Sequence, residues 1–294
     1  MSENFADRLA GAVARKGSPV CVGIDPSYSK LPDELKPLPP VQGIEVFALA
    51  VIEAVAEHVP AVKPQIAYFE RYGSAGVAAY ERTVRAARQA GLLVIGDVKR
   101  GDIGSTAAEY AAGHLAGPDA PDAVTVNSYF GDDGIEPFAD EAARTGRGVF
   151  VLVRTSNPSA AALQDFADAD GRRLYEHVAA MVARLGDRPG RMGALGYSCV
   201  GAVVGATYPE QARQLRKLMP HQVFLVPGYG AQGASARDCA AAFDDAGGGA
   251  VVNASRSVIY AYAQEAYRGR PWRQAIADAA RDFAREIAYA VRVR

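Results

Sequence analysis

The segment Val94–Thr106 reads VIGDVKRGDIGST and carries Asp97, Lys99 and Asp102 in close succession. Asp97 and Lys99 stand two apart at the end of an apolar run. Side chains on a strand repeat every two residues, so both are expected on one face. Asp102 follows in the loop. Two carboxylates flanking an ammonium keep it protonated and fix its direction. A lysine held this way is a positioned proton donor. It is not a Schiff-base nucleophile, which needs a lowered pKa. The same spacing also occurs as a plain salt bridge at a strand end, and the segment alone leaves that reading open.

Further polar residues end other apolar runs. Asp25 closes PVCVGID, Lys63 lies within AVKPQIA, and Ser156 closes GVFVLVRTS. Gln232 follows VFLVPGYG, and Arg256 closes GAVVNASR. In α/β barrels, phosphates commonly bind between the loops after strands seven and eight. A guanidinium presents the planar charged fork that a phosphate accepts. Gly228, Gly230 and Gly233 permit close backbone approach there. Read singly, Asp25 and Lys63 also suit a structural ion pair, and Ser156 also suits a turn cap.

These residues need a frame that gathers strand ends. Eight strand-like runs occur in order: Pro19–Asp25, Ala61–Ala67, Leu92–Lys99, Ala123–Ser128, Gly148–Ser156, Val200–Thr207, Val223–Gly230 and Gly249–Arg256. Most are nearly continuous in apolar residues, as strands covered on both faces are. Helical spacing marks Gly43–Val59, Tyr72–Ala90, Gly171–Leu185 and Trp272–Val291. Strands alternating with helices predict a (β/α)8 barrel, single domain, over residues 1–294. A doubly wound open sheet is the alternative. It is disfavoured because the polar residues cluster at the carboxyl end of nearly every run. The Pro/Gly stretches Lys30–Pro40 and Gly186–Gly193 read as loops between elements.

Composition narrows the function. The chain has 294 residues and a formal net charge of −1, with 49% hydrophobic and 22% charged residues. That balance suggests neither a nucleic-acid surface nor an anionic membrane surface as partner. The three cysteines, Cys21, Cys199 and Cys239, are far apart, and Cys21 and Cys199 read as buried thiols. The four histidines lack metal-ligand spacing, so no metal site is expected. Met1–Lys16 shows helical spacing without a signal-peptide core, and no apolar run approaches the roughly 18 residues of a membrane span. The expectation is a soluble cytoplasmic protein.

The string Asp97, Lys99, Asp102, Ile103, Gly104, Thr106 resembles the signature of the orotidine 5'-monophosphate decarboxylases, D-x-K-x-x-D-I-[GP]-x-T. The shorter D-x-K-x-x-D is shared with relatives such as the ketogulonate-phosphate decarboxylases. CVGIDPS, VKPQIAYFE, RTSNPSA, PGYGAQG and NASRSVIY agree with the longer family pattern, so the resemblance runs from Asp25 to Arg256. The forms RTSNP and VPGYGAQG look most like the longer bacterial subgroup, which usually has Pro where Ser128 stands.

The resemblance implies conversion of orotidine 5'-monophosphate to UMP and carbon dioxide in pyrimidine biosynthesis, with no cofactor. It implies Lys99, Asp97, Asp102 and Lys63 as the catalytic charge network. Asp25 and Thr106 would hold the ribose, Ser156 the base, and Gln232 and Arg256 the phosphate. It also implies that Lys63 pairs with both Asp25 and Asp97. Asp102 and Thr106 would reach a neighbouring subunit's site, which implies a homodimer with shared sites. Two alternatives stand beside it. A metal-dependent sugar-phosphate decarboxylase would need a carboxylate in place of Lys63. A non-catalytic nucleotide-binding barrel would not need the lysine array.

Overall fold

The computed structural model describes residues 3–230 and 233–293. Eight parallel strands close into a barrel in chain order. They are β1 (Val20–Ile24), β2 (Ala61–Pro64), β3 (Leu93–Arg100), β4 (Ala123–Val126), β5 (Gly148–Arg154), β6 (Ser198–Val204), β7 (Gln222–Val226) and β8 (Ala250–Ala254). β8 pairs back onto β1, with Cys21 beside Asn253. Every expected run forms a strand, and the closure rules out an open sheet. Most strands end earlier than the apolar pattern suggested, because the polar residues at their ends belong to the loops.

β1, β4, β6, β7 and β8 are buried along their whole length. Such strands need apolar or small residues at every position, as VCVGI and AVTV show. Alternate residues divide between two cores. Cys21, Ile95, Phe150, Leu225 and Val251 pack together inside the barrel. Val20, Val22 and Ile24 join the larger core between barrel and helices.

The helix Phe5–Lys16 plugs the amino-terminal end of the barrel. It starts at Asn4, whose side chain accepts the Ala6 N–H at 2.8 Å. It stops at Gly17, whose φ of 66° is cheap only for glycine. Phe5 meets Phe150 edge to face, with ring centroids 5.8 Å apart. A Cβ on Gly148 would lie 2.4 Å from the Phe5 ring, so glycine is what admits the plug. Burying such a ring contributes about 1.5–3 kcal/mol. With that end filled, the carboxyl ends of the strands form the open mouth.

The outer ring includes the helices Pro40–Val55, Gly73–Gln89, Leu174–Gly186 and Trp272–Arg292, close to their expected positions. Phe47 and Trp272 stack with centroids 5.7 Å apart, joining the last helix to the first of the ring. The stretch Lys30–Pro40 leads from β1 to the helix Pro40–Val55, as a loop between elements, and holds a short turn of tight helix at Asp33–Leu35. Cys21, Cys199 and Cys239 are free and buried. Burial pushes the Cys21 thiol up to about 12, which leaves it protonated and unreactive. Among the described residues, no helix is long and apolar enough to cross a membrane.

Candidate active site

A cavity of about 480 Å³ lies at the barrel mouth. Asp25, Lys63, Asp97, Lys99, Ser156 and Arg256 all line it. So do Thr125, Asn253 and Ser255, and an apolar wall of Leu152, Val203, Leu225 and Pro227. Every strand of the barrel thus sends a side chain from itself or its following loop into one space.

Asp97 is the hub. Its Oδ2 accepts from Lys63 Nζ at 2.7 Å, and its Oδ1 accepts from Lys99 Nζ at 2.5 Å. The Thr125 hydroxyl donates to the same Oδ1 at 2.9 Å. Burial alone would raise the Asp97 carboxyl. The ammoniums of Lys63 and Lys99 outweigh it and hold the group well below the usual carboxylate range. Burial alone would likewise lower Lys63. Asp97, then Asp25, outweigh it and hold that ammonium above its ordinary value. The result is a charged, fixed carboxylate between two cations.

Lys99 reaches Asp97 by an irregular route. The pairing of β3 with β4 shifts register between Gly96 and Arg100. Within that irregularity Lys99 has φ 44°, and it is the only non-glycine among the described residues with positive φ. An L-residue in this region costs about 1–2 kcal/mol. Its backbone N–H leaves the strand ladder and donates to Thr125 Oγ1 at 3.0 Å. One threonine hydroxyl therefore steadies both the Lys99 backbone and the Asp97 carboxylate. Simple strand alternation had placed the two side chains on one face. They do share the mouth, but through a bulge rather than a regular strand. Strain held by its surroundings in this way is typical of functional positions.

Lys63 is buried against Asp97, and Asp25 lies outside ion-pair reach of it. The expected pairing of Lys63 with both carboxylates therefore reduces, as a contact, to Asp97 alone, with Asp25 acting through its field. Asp25 Oδ2 instead accepts from the Ser255 hydroxyl at 2.7 Å. The Tyr260 hydroxyl donates to the Asp25 carbonyl at 2.8 Å and accepts the Ser27 N–H at 2.7 Å, fixing the end of β1. Asp25 Oδ1 and Asn253 Oδ1 are buried and accept no hydrogen bond from the described residues.

Asp102 and Thr106 are not among the residues lining the cavity. Asp102 Oδ1 accepts the N–H of its neighbour Ile103 at 2.8 Å, and Thr106 is exposed on the helix Gly104–Leu115. Within one chain, then, Asp102 does not flank Lys99. Beside them Ile103, Tyr110, Tyr129 and Phe130 expose large apolar surfaces. Ser156 lines the wall opposite β1 in the loop after β5, and Arg256 stands exposed at the rim after β8. Gln232 lies outside the described residues.

Sequence reasoning missed Thr125, Asn253 and Ser255. Each is a polar residue within or just after an apolar strand run, AVTV or AVVNAS, and that interruption was the available signal. Arg154 was also missed. It hides inside the apolar run of β5 and does not face the cavity.

The fold and this mouth define a (β/α)8-barrel protein whose site is built at the carboxyl ends of its strands. More narrowly, the chain belongs to the orotidine 5'-phosphate decarboxylase / HUMPS family, whose model matches residues 18–269. It is 48% identical over 276 residues to the orotidine 5'-phosphate decarboxylase of Rhodopirellula baltica, covering 90% of each chain. It is 44% identical to that of Deinococcus radiodurans over 261 residues, 89% of this chain and 91% of the other. Among solved structures it is similar to a putative orotidine 5'-phosphate decarboxylase from Streptomyces avermitilis. The two share 40% identity and a TM-score of 0.83, over 99% of this chain and 97% of that one.

Proposed function

We propose that the chain decarboxylates orotidine 5'-monophosphate to UMP and carbon dioxide, with Lys99 as proton donor. The observation that carries this is the Lys99 ammonium, held against Asp97 beside an apolar wall. As the bond from C6 to the carboxylate breaks, its electron pair stays on C6. The Lys99 ammonium stabilises that charge and then delivers a proton to it. Asp97 lies against the departing carboxylate and orients Lys99. Lys63 keeps Asp97 charged and in place.

The rest of the cavity divides between the parts of the nucleotide. Asp25 Oδ1 and Asn253 sit where hydroxyl donors of a ribose would satisfy buried oxygens. Ser156 faces the base. Arg256, with Gln232, takes the phosphate, and that remote binding energy favours closure over the substrate. Family membership supports the reading, and the ammonium at Lys63 argues against the metal-dependent alternative, which needs a carboxylate there.

The unit that acts is a homodimer with shared sites, in the cytoplasm. Support for the dimer comes from Asp102 and Thr106. They stand outside their own chain's cavity, next to the exposed apolar cluster of Ile103, Tyr110, Tyr129 and Phe130. A second copy covering that cluster would bring both polar residues to its own mouth.

The test is turnover by the purified chain. Orotidine 5'-monophosphate should give equal amounts of UMP and carbon dioxide, at the same rate with EDTA present. Absence of turnover contradicts the reading, and a rate abolished by EDTA points to the metal-dependent alternative.

A further inference from the structure

Arg154 ends β5, and its side chain is wholly buried although a guanidinium stays charged. A bulge turns it away from the cavity: β5 advances from Leu152 to Arg154 while β6 advances only from Val203 to Val204. Leu152 still lines the cavity. Arg154 instead lies between two rings, 5.3 Å from the Tyr175 centroid and 4.5 Å from that of Tyr208.

Its donors fan out to three side chains. Nε donates to Gln211 Oε1 at 2.8 Å, and Nη1 to Gln164 Oε1 at 3.2 Å. Nη2 donates to Asp165 Oδ2 at 3.5 Å and forms an ion pair with the same carboxylate. Gln164 passes the constraint on. Its Oε1 also accepts the Thr155 N–H at 3.0 Å, and its Nε2 donates to the Thr155 hydroxyl at 2.7 Å. That hydroxyl donates to Asn157 Oδ1 at 2.6 Å. Thr155, Ser156 and Asn157 form one wall of the cavity. The far end of the excursion from Thr155 to Asp165 is therefore fastened to the guanidinium directly, and its near end through Gln164.

Burying a charge is a poor way to gain stability, since an apolar residue of similar size usually does as well. What the fork supplies is direction, because it fixes several acceptors in one plane. We infer that Arg154 is a positioning residue for base recognition: it holds the segment Thr155–Asn157 in register against the pyrimidine without touching the ligand. This inference rests on the reading that the segment faces the base.

The experiment compares two ligands by calorimetry, UMP and ribose 5-phosphate, which lacks only the base. The variants are Arg154→Lys, which keeps the charge but loses the fork, and Gln164→Ala, which cuts the relay at a partly exposed residue. Gln164→Ala serves if Arg154→Lys does not fold. Each should weaken UMP about tenfold, the worth of roughly one hydrogen bond, and leave ribose 5-phosphate within about twofold. Ser156→Ala is measured alongside, and the double variant Arg154→Lys/Ser156→Ala should lose little more than the larger single loss. Equal weakening of both ligands, or no weakening of either, overturns the inference. If Ser156→Ala alone weakens UMP selectively, the base reading stands and the role of Arg154 falls. If Ser156→Ala has no effect while Arg154→Lys weakens UMP selectively, Arg154 keeps its role and Ser156 loses its own.

Discussion

The Lys99 ammonium lies 2.5 Å from Asp97 Oδ1, and it does so from a backbone that a lysine rarely adopts. The opposite oxygen of the same carboxylate binds Lys63. One buried anion thus holds two cations of different exposure. Lys63 is sealed in, whereas nearly half of the Lys99 side chain surface remains open to the cavity. The sealed lysine maintains the carboxylate, and the open one is free to meet a substrate.

Removing the carboxylate should therefore cost stability in a pH-dependent way. Asp97→Asn leaves Lys63 buried without its partner, which destabilises by about 3–5 kcal/mol at neutral pH. The Asp97 carboxyl is depressed in the fold, so its stabilisation is present above the unfolded value, about 3.9, and is lost as pH falls through the folded value. The gap in unfolding free energy between wild type and variant should shrink as pH falls below about 4. Denaturant melts at a series of pH values measure it. A gap that stays unchanged from neutrality down to about pH 2 would mean that the Asp97 charge does not carry it.

Arg256 should discriminate between phosphorylated and bare ligands. Arg256→Ala should weaken UMP by about 1.5–3 kcal/mol, the worth of a hydrogen bond to a charged group. Uridine binding should change little. Equal losses for UMP and uridine would remove Arg256 from the phosphate site.

A site shared across a dimer predicts complementation. Lys99→Ala and Asp102→Asn homodimers should each be nearly inactive. In a hybrid, one site carries both substitutions and the other carries neither. Random exchange of equal amounts makes about half the dimers hybrid, so about a quarter of all sites regain the wild-type set. Decarboxylation should return after subunit exchange in mild denaturant, in proportion to the hybrid fraction seen by mass. Exchange without recovered activity would place Asp102 in its own subunit's site.

Much of this architecture was legible along the chain, because a strand covered on both faces has to be apolar throughout. That property marked most of the eight strands, and the polar residues at their ends marked the mouth. The bulge at Lys99 was not legible. It depends on how β3 meets β4, and Thr125, the residue that takes the displaced N–H, lies 26 positions away. The contact of Lys63 with Asp97 alone, where pairing with both Asp25 and Asp97 was expected, was hidden for a similar reason. Asp25 and Asp97 are both aspartates at strand ends, and only barrel geometry selects Asp97. Arg154 stayed hidden because a bulge reverses the face that strand alternation assigns to it. The loop carrying Ser156 was visible as a string, but what fastens it was not.

The central claim is that Lys99 performs the chemistry while other residues hold the nucleotide. Lys99→Ala, tested for carbon dioxide release and for UMP affinity on the same preparation, separates the two. Release should fall by at least about a thousandfold, since both charge stabilisation and proton delivery are lost. UMP affinity should stay within about threefold of wild type, because the contacts proposed for its phosphate and base lie at other residues. A Lys99→Ala enzyme that binds UMP and still turns over at a near-normal rate would contradict the account.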